Sequence, residues 1–330
     1  MIRPFIKWAG GKSRTLPQLL QHLPKADCLV EPFVGGAAVF LNTDYRRYVL
    51  ADINPDLINL LRVAKRYPEQ LIDDARPLFR NGNNSAYYAE IRSEFNAIAS
   101  KSAVRIPEYD LLRAAAFLYL NRHGYNGLCR YNLKGEYNSP FGKSTGTPYF
   151  PDAEIRFFSE KANDTRTIFL CTSFEYTLRS IGGNSAAIYC DPPYIPTSKT
   201  ANFTQYHTKP FTPAHHELLA AMLYDINRFY GTGIVISNSD TPQTRDIYQS
   251  FNLQNIDVQR SISTNTKKRV KAKEVIGVLP ARDAISNTSY LFSAPAAQVI
   301  WTGFDPASGQ DYSVTQDVKH QHPHHTERKK

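Results

Sequence analysis

Five short apolar runs, the one opening CLVEPFVGGAAVF (28–40), YVLADIN (48–54), TIFLC (167–171), AAIYC (186–190) and GIVISN (233–238), recur between stretches of helical character. Strands alternating with helices indicate a parallel α/β sheet covered by helices on its faces. The helical stretches read as 11–22, 56–67, 213–230 and two patterned pieces within 85–120, SAYYAEIRSEFNAIA and LLRAAAFLYL. Residues 58–165 therefore read as a largely helical insertion between the second and third strands. Within it, 121–150 turns loop-rich, aromatic and basic.

The bulk properties bound the alternatives. The chain has 330 residues, 42% of them hydrophobic, with 18 Phe and 20 Tyr, enough for a large core. No apolar run reaches the length of a membrane span, and MIRPFIKWAGGK has no apolar signal core, so the expectation is a cytosolic protein. Cys28, Cys129, Cys171 and Cys190 form no CxxC pair and read as buried reduced thiols rather than a metal or disulfide frame. Net charge is +9, and the segment from Arg282 onward holds five basic and five acidic residues, so the excess lies in 1–281. A basic folded region suits a polyanionic partner. Beyond Pro280 the composition shifts to Ser, Thr, Ala, Gln and His, which predicts a loosely ordered extension with SYLF and QVIWTGF as its strand-like pieces.

In 28–40 the first strand ends in EPFVGG and opens a helix. That arrangement suits a nucleotide-type ligand at the carboxyl edge of a sheet, and it also suits an ordinary strand–helix turn. The next strand ends in Asp52, 17 residues after Gly35, where a carboxylate can accept hydrogen bonds from both ribose hydroxyls. NAD and FAD stay open, but the GxGxxG spacing and a pyrophosphate cradle are absent. S-adenosylmethionine carries no phosphate and needs only a short loop. FIKWAGGK (5–12) reads either as a ligand-closing loop, with Trp8 on the cofactor and Lys12 near its carboxylate, or as a capped helix start with a core tryptophan.

AAIYCDPPY (186–194) is the most informative stretch. A buried strand delivers Asp191 to the same edge, and Pro192 and Pro193 stiffen the turn that aims Tyr194. An aromatic amino nitrogen is a poor nucleophile because its lone pair is delocalised into the ring. If Asp191 and the Pro192 carbonyl each accept one N–H, the nitrogen is drawn toward tetrahedral geometry, and both acceptors stabilise the positive charge that grows on it. Tyr194 offers a face for stacking. A structural strand–turn remains the bland alternative.

Taken together, FIKWAGGK, LVEPFVGGAAVFLNTD, YVLADINPDLINL, FLYLNRHGYNGLCRYN, PYFPDAEIRFF, YCDPPYIP and TANFTQYHT resemble the Dam-type DNA adenine methyltransferases. These include bacterial and phage enzymes that methylate GATC. The resemblance spans about 5–279. It implies a Rossmann-like catalytic domain (1–57 and 166–280) with an inserted, mostly helical target-recognition domain (58–165) and an extension (281–330). It implies S-adenosylmethionine near Trp8, Ala9, Gly10, Lys12, Glu31, Phe33, Gly35, Asp52 and Asp191, and a target adenine flipped from duplex DNA onto Asp191, Pro192, Pro193 and Tyr194. Lys7 would contact the first guanine, Tyr125 would insert between bases, and Asn126 would fill the vacated space. Leu128 and Arg130 would read the major groove, and Pro140 would meet a thymine methyl. A monomer with no metal ion is implied.

The sequence also departs from that family. Ala37 stands where several relatives carry glycine, so a positive φ there would cost stability or loosen the cofactor. Lys143–Ser144 replaces an arginine–tyrosine pair, which leaves flanking-base preference open. TKKRVKAKE (266–274) reads as a basic loop over phosphates or as a solvated charge run, and His320, His322, His324 and His325 read as a polar end. Methylation of cytosine N4, RNA adenine or a glutamine amide, and a non-catalytic DNA-binding relative, are the competing readings. The aspartate at 191 disfavours cytosine N4 and the glutamine amide.

Overall fold

The computed structural model describes residues 1–12, 15–81, 83–101, 107–143, 146–181, 186–196, 211–258, 272–282, 300–305 and 310–315. They fall into two compact units, 1–285 and 286–330.

The first unit is built on a seven-stranded sheet. Strands β1 (Cys28–Glu31), β2 (Arg47–Asp52), β3 (Thr167–Cys171), β4 (Ala186–Cys190) and β5 (Gly233–Ser239) run parallel in the order β3-β2-β1-β4-β5. Two further strands, β6 (Asn252–Val258) and β7 (Ala272–Leu279), extend the sheet as β5-β7-β6, with β7 antiparallel to both neighbours. The sheet is thus mixed rather than wholly parallel, and the expected basic loop at 266–274 ends inside β7. Its remaining residues, like TANFTQYHT, SYLF and the four tail histidines, lie outside the described residues.

Side chains alternate across each strand, so Leu29 and Tyr189 enter one core cluster while Val30, Ile188 and Cys190 enter the other. Both sheet faces are covered, which is why these strands read as continuous apolar runs. One face meets α8 (Phe174–Arg179) and α9 (Pro213–Tyr230) through Phe174, Leu178, Leu219, Leu223 and Ile226. The other packs α3 (Pro55–Arg66) and α7 (Asp152–Asp164). Asn54 caps α3, its Oδ1 accepting from the Asp56 and Leu57 amides, with Pro55 opening the helix.

Residues 68–123 form three helices, α4 (Pro68–Arg80), α5 (Ser85–Lys101) and α6 (Pro107–His123). In α6, Phe117, Leu118, Tyr119 and Leu120 are all buried, because α3, α4 and α5 pack around it. The expected N-terminal helix is shorter than 11–22: α1 spans Leu16–Leu20, after a turn that begins at the Lys12 carbonyl. Short helices α2 (Ala38–Leu41) and α10 (Pro242–Ile247) follow β1 and β5. Cys171 is exposed at the end of an edge strand, unlike the buried Cys28, Cys129 and Cys190; none of the four is in a disulfide. The described residues of the second unit are the hairpin β8 (Ile300–Asp305) and β9 (Gln310–Thr315). Among the described residues no helix is long and apolar enough to cross a membrane.

Candidate active site

The strand order reverses between β1 and β4, because β1 continues to β2 on one side while β4 leads to β5 on the other. Ligands in open α/β sheets bind outside the carboxyl ends of strands at such a point. Here β1 ends at Glu31 and runs into Phe33–Gly36, β2 ends at Asp52, and β4 runs into Asp191–Tyr194. Register pairs Val30 with Ile188 and Glu31 with Leu50, so all three loops leave the same edge.

The glycine loop is tied to Asp52. The Gly35 amide donates to Asp52 Oδ2 at 3.2 Å, and the Asn54 amide donates to Oδ1 at 3.0 Å. Burial pushes the Asp52 carboxyl up to about 6, against the pull of these amides. Gly35 has φ +48, and a Cβ there would stand 2.7 Å from Trp8 Cδ1. Trp8 therefore packs on the glycine loop. Ala37 has φ 60 and ψ 32, a left-handed conformation, and is fully buried. Glu31 is buried with Oε1 unpartnered among the described residues, and burial, reinforced by the charge of Asp191, raises its carboxyl to about 8.

Lys12 reaches across to the third loop. Its Nζ lies 2.7 Å from Asp191 Oδ1, 3.0 Å from the Gly10 carbonyl and 4.5 Å from the centre of the Tyr194 ring. Lys12 is thus engaged with the carboxylate of the DPPY loop. Burial raises the Asp191 pKa, Lys12 opposes that rise, and Glu274 adds to it. Tyr194 donates its hydroxyl to Glu274 Oε2 at 3.1 Å, and the Ile195 amide donates to Asn238 Oδ1 at 3.1 Å. Sequence reasoning missed Glu274, hidden in a basic run, and Asn238. The end of GIVISN at the same sheet edge was a usable signal for Asn238. Phe33, half-buried, stacks on Phe174 at 5.7 Å between ring centres and meets Phe211 edge-on.

A second group of the predicted residues gathers around Lys7. The Lys7 amide donates to Asn121 Oδ1 at 2.9 Å, and Asn121 Nδ2 returns a bond to the Lys7 carbonyl at 2.7 Å. A Cβ on Gly127 would lie 2.3 Å from Lys7 Cβ, so the two backbones touch. Exposed Tyr125 and Asn126 sit in a 3₁₀ turn, Asn126 at φ 52, and the Tyr125 amide donates to the Pro140 carbonyl at 2.9 Å. A hairpin with a Tyr131–Tyr137 bridge follows. On it Arg130 is exposed and aimed by Asn138, which accepts from Nε at 2.8 Å through Oδ1 and from Nη2 at 3.1 Å through its carbonyl. Leu128 is half-buried at the base, its carbonyl accepting from Tyr137 at 3.3 Å. The hairpin is bonded to the first turn of α3, which follows β2: Tyr131 donates to Asp56 Oδ2 at 2.6 Å, while Arg113 of α6 pairs with Oδ1 at 2.6 Å.

Comparison with known proteins points the same way. The family model of the D12 class N6 adenine-specific DNA methyltransferases matches residues 8–262. The DNA adenine methylase of Haemophilus influenzae is 45% identical over 283 residues, covering 85% of this chain and 94% of that protein. Those of Serratia marcescens and Escherichia coli K12 are each 46% identical over 277 residues, covering 84% of this chain and 98% and 95% of theirs. On this evidence the chain belongs to the D12 class of N6 adenine-specific DNA methyltransferases.

Proposed function

We propose that the chain methylates adenine N6 within GATC of double-stranded DNA, acting as a monomer on a base rotated out of the helix. The catalytic part comprises 1–57 and 166–280, and 58–165 recognises the target. What supports this most is the placement of Asp191–Tyr194 beside the Asp52-bound glycine loop at the reversal of strand order.

The residues at that edge fit S-adenosylmethionine. The donor set suits it: the Asp52 carboxylate for two ribose hydroxyls, aromatic Phe33 and Trp8 for flat packing, and the buried Glu31 Oε1, unpartnered among the described residues, for a polar hydrogen. Ala9, Gly10, Lys12 and Gly35 complete the surround. S-adenosylmethionine, when bound, supplies an electrophilic methyl on its sulfonium.

The protein's own part is to prepare the nitrogen. Asp191 and the Pro192 carbonyl each accept one N–H of the adenine amino group, so its lone pair leaves the ring plane. Positive charge that develops on N6 is stabilised by the carboxylate, in surroundings where such an interaction is strong. The N6 proton released on methylation passes to Asp191, whose raised pKa makes it a better base than an exposed aspartate. Tyr194, held by Glu274, stacks on the extruded base.

Recognition falls to the second group. Lys7 contacts the first guanine, Arg130 and Leu128 read the major groove, and Pro140 meets a thymine methyl. Tyr125 enters the stack and Asn126 takes the space left behind. Expression in a strain without GATC methylation, followed by digestion of its plasmid, tests the reading. Plasmid resistant to a nuclease that cuts unmethylated GATC, and cut by one that requires the methyl group, is the predicted result. Full sensitivity to the first nuclease removes the GATC assignment.

A further inference from the structure

The hairpin that carries Arg130 is anchored on a buried carboxylate. Along its first arm Cys129 is buried, Arg130 exposed and Tyr131 half-buried, the alternation of an extended chain. The two inward residues meet the start of α3. Tyr131 donates its hydroxyl to Asp56 Oδ2 at 2.6 Å, and Asn54 Nδ2 donates to Cys129 Sγ at 3.6 Å. Asp56 is 4% exposed, and its other oxygen accepts from Arg113 Nε at 2.6 Å. Arg113 is itself fixed: it donates to the Phe95 carbonyl at 2.8 Å, with its guanidinium 3.9 Å from the centre of the Phe95 ring. The Asn54 amide donates to Asp52, so the anchor is continuous with the sheet edge.

The second arm is tied elsewhere. Asn96 of α5 accepts from the Tyr137 amide at 2.8 Å and donates to the Tyr137 carbonyl at 3.1 Å. Tyr88 and Arg92 both donate to the Ser139 carbonyl, at 3.1 and 3.2 Å. Asn138 aims the Arg130 guanidinium, but Asn138 belongs to the hairpin, so that aim is set relative to the hairpin alone. The place of the first arm against α3 is set by Tyr131 and Cys129. We propose that Tyr131, held by Asp56, is a positioning residue for sequence recognition: it fixes the backbone on which Arg130 stands, and so the register in which the guanidinium meets a base. The inference rests on the assignment of Arg130 to a guanine of the target.

A bidentate arginine–guanine pair discriminates by about 5- to 150-fold, and it does so only while both bonds are in line. Tyr131→Phe removes one hydroxyl and leaves the α5 bonds of the second arm in place, so the hairpin keeps its fold. Selectivity is read as the methylation rate on a GATC duplex divided by the rate on duplexes substituted at each position in turn. In Tyr131→Phe it is expected to fall by about 3- to 10-fold at the guanine of Arg130 and by less than about twofold at the other positions. In an Arg130→Ala background the same change has no further effect, because Tyr131 acts through Arg130.

A Tyr131→Phe protein with wild-type selectivity overturns the inference. So does an equal loss at every position, which is what a merely structural role produces, and so does a further loss in the Arg130→Ala background. Arg130→Ala assayed alone separates the two levels. Unchanged selectivity in that variant removes the assignment of Arg130 and the inference with it. A relaxed Arg130→Ala beside a fully selective Tyr131→Phe removes only the role of Tyr131.

Discussion

The Lys12 ammonium stands 2.7 Å from the Asp191 carboxylate, joining the N-terminal glycine loop to the loop proposed to receive the base. Burial favours the protonated acid at 191, and Lys12 favours the ionised form. Methyl transfer needs the carboxylate, which exists above the pKa and is lost as pH falls through it. Lys12→Met removes the opposing charge, so the acid limb of a kcat–pH profile, taken at saturating cofactor, moves to higher pH. A limb that stays in place shows that Lys12 does not govern the charge at Asp191.

Asp52 carries a stability cost that its proposed binding role would explain. Its carboxyl rises from 3.8 to about 6 on folding. A group with a raised folded pKa destabilises the fold as pH climbs between those two values, and the full cost persists above them. Asp52→Asn is therefore expected to stabilise the ligand-free protein by about 1–3 kcal/mol at pH 8, with the gain vanishing near pH 4. The same variant binds S-adenosylmethionine more weakly. Chemical denaturation at the two pH values checks the first half and calorimetric titration the second. A stability gain equal at both pH values contradicts the electrostatic origin.

Much of this was legible in the chain, for local reasons. The start of CLVEPFVGGAAVF, YVLADIN, TIFLC, AAIYC and GIVISN are apolar runs, and each forms a strand, with YVLADIN ending two residues early at Asp52. The sequence marked Ala37 as a place where a positive φ would carry a cost, and the backbone there is left-handed. The parts that were not legible depend on distant neighbours. α4 contains Pro77, which masks its helical period. β7 begins inside a charge run, and its place is set by pairing with β5 and β6 rather than by its own composition. Glu274 acquires meaning only from Tyr194, 80 residues away.

Ala37 tests the backbone argument. Relief of a left-handed alanine is worth about 1–2 kcal/mol. Loss of its buried methyl costs about 0.8 kcal/mol, and the freer unfolded chain costs about 0.4–1 kcal/mol more. Ala37→Gly is thus expected to leave the melting temperature nearly unchanged. Ala37→Val places a β-branched side chain at φ 60 in a fully buried site and is expected to destabilise by more than about 2 kcal/mol. A tolerated valine contradicts the left-handed assignment.

Arg130 tests recognition. Asn138 already aims its guanidinium, so little order is lost on binding. Arg130→Ala is expected to reduce discrimination at one guanine by about 1–3 kcal/mol, read as methylation rates on duplexes altered at each position of the site. Arg130→Lys keeps the charge without the fork, so it preserves general affinity but not discrimination. An unchanged preference profile in both variants rejects the role.

The most direct measurement follows the methyl group itself. A GATC duplex is incubated with methyl-labelled S-adenosylmethionine and the wild-type or Asp191→Ala protein, then digested to nucleosides and analysed by mass. All label on adenine N6 with the wild type, and none with a variant that still binds cofactor, is the predicted result. Label on any other atom, or wild-type transfer by Asp191→Ala, contradicts the account.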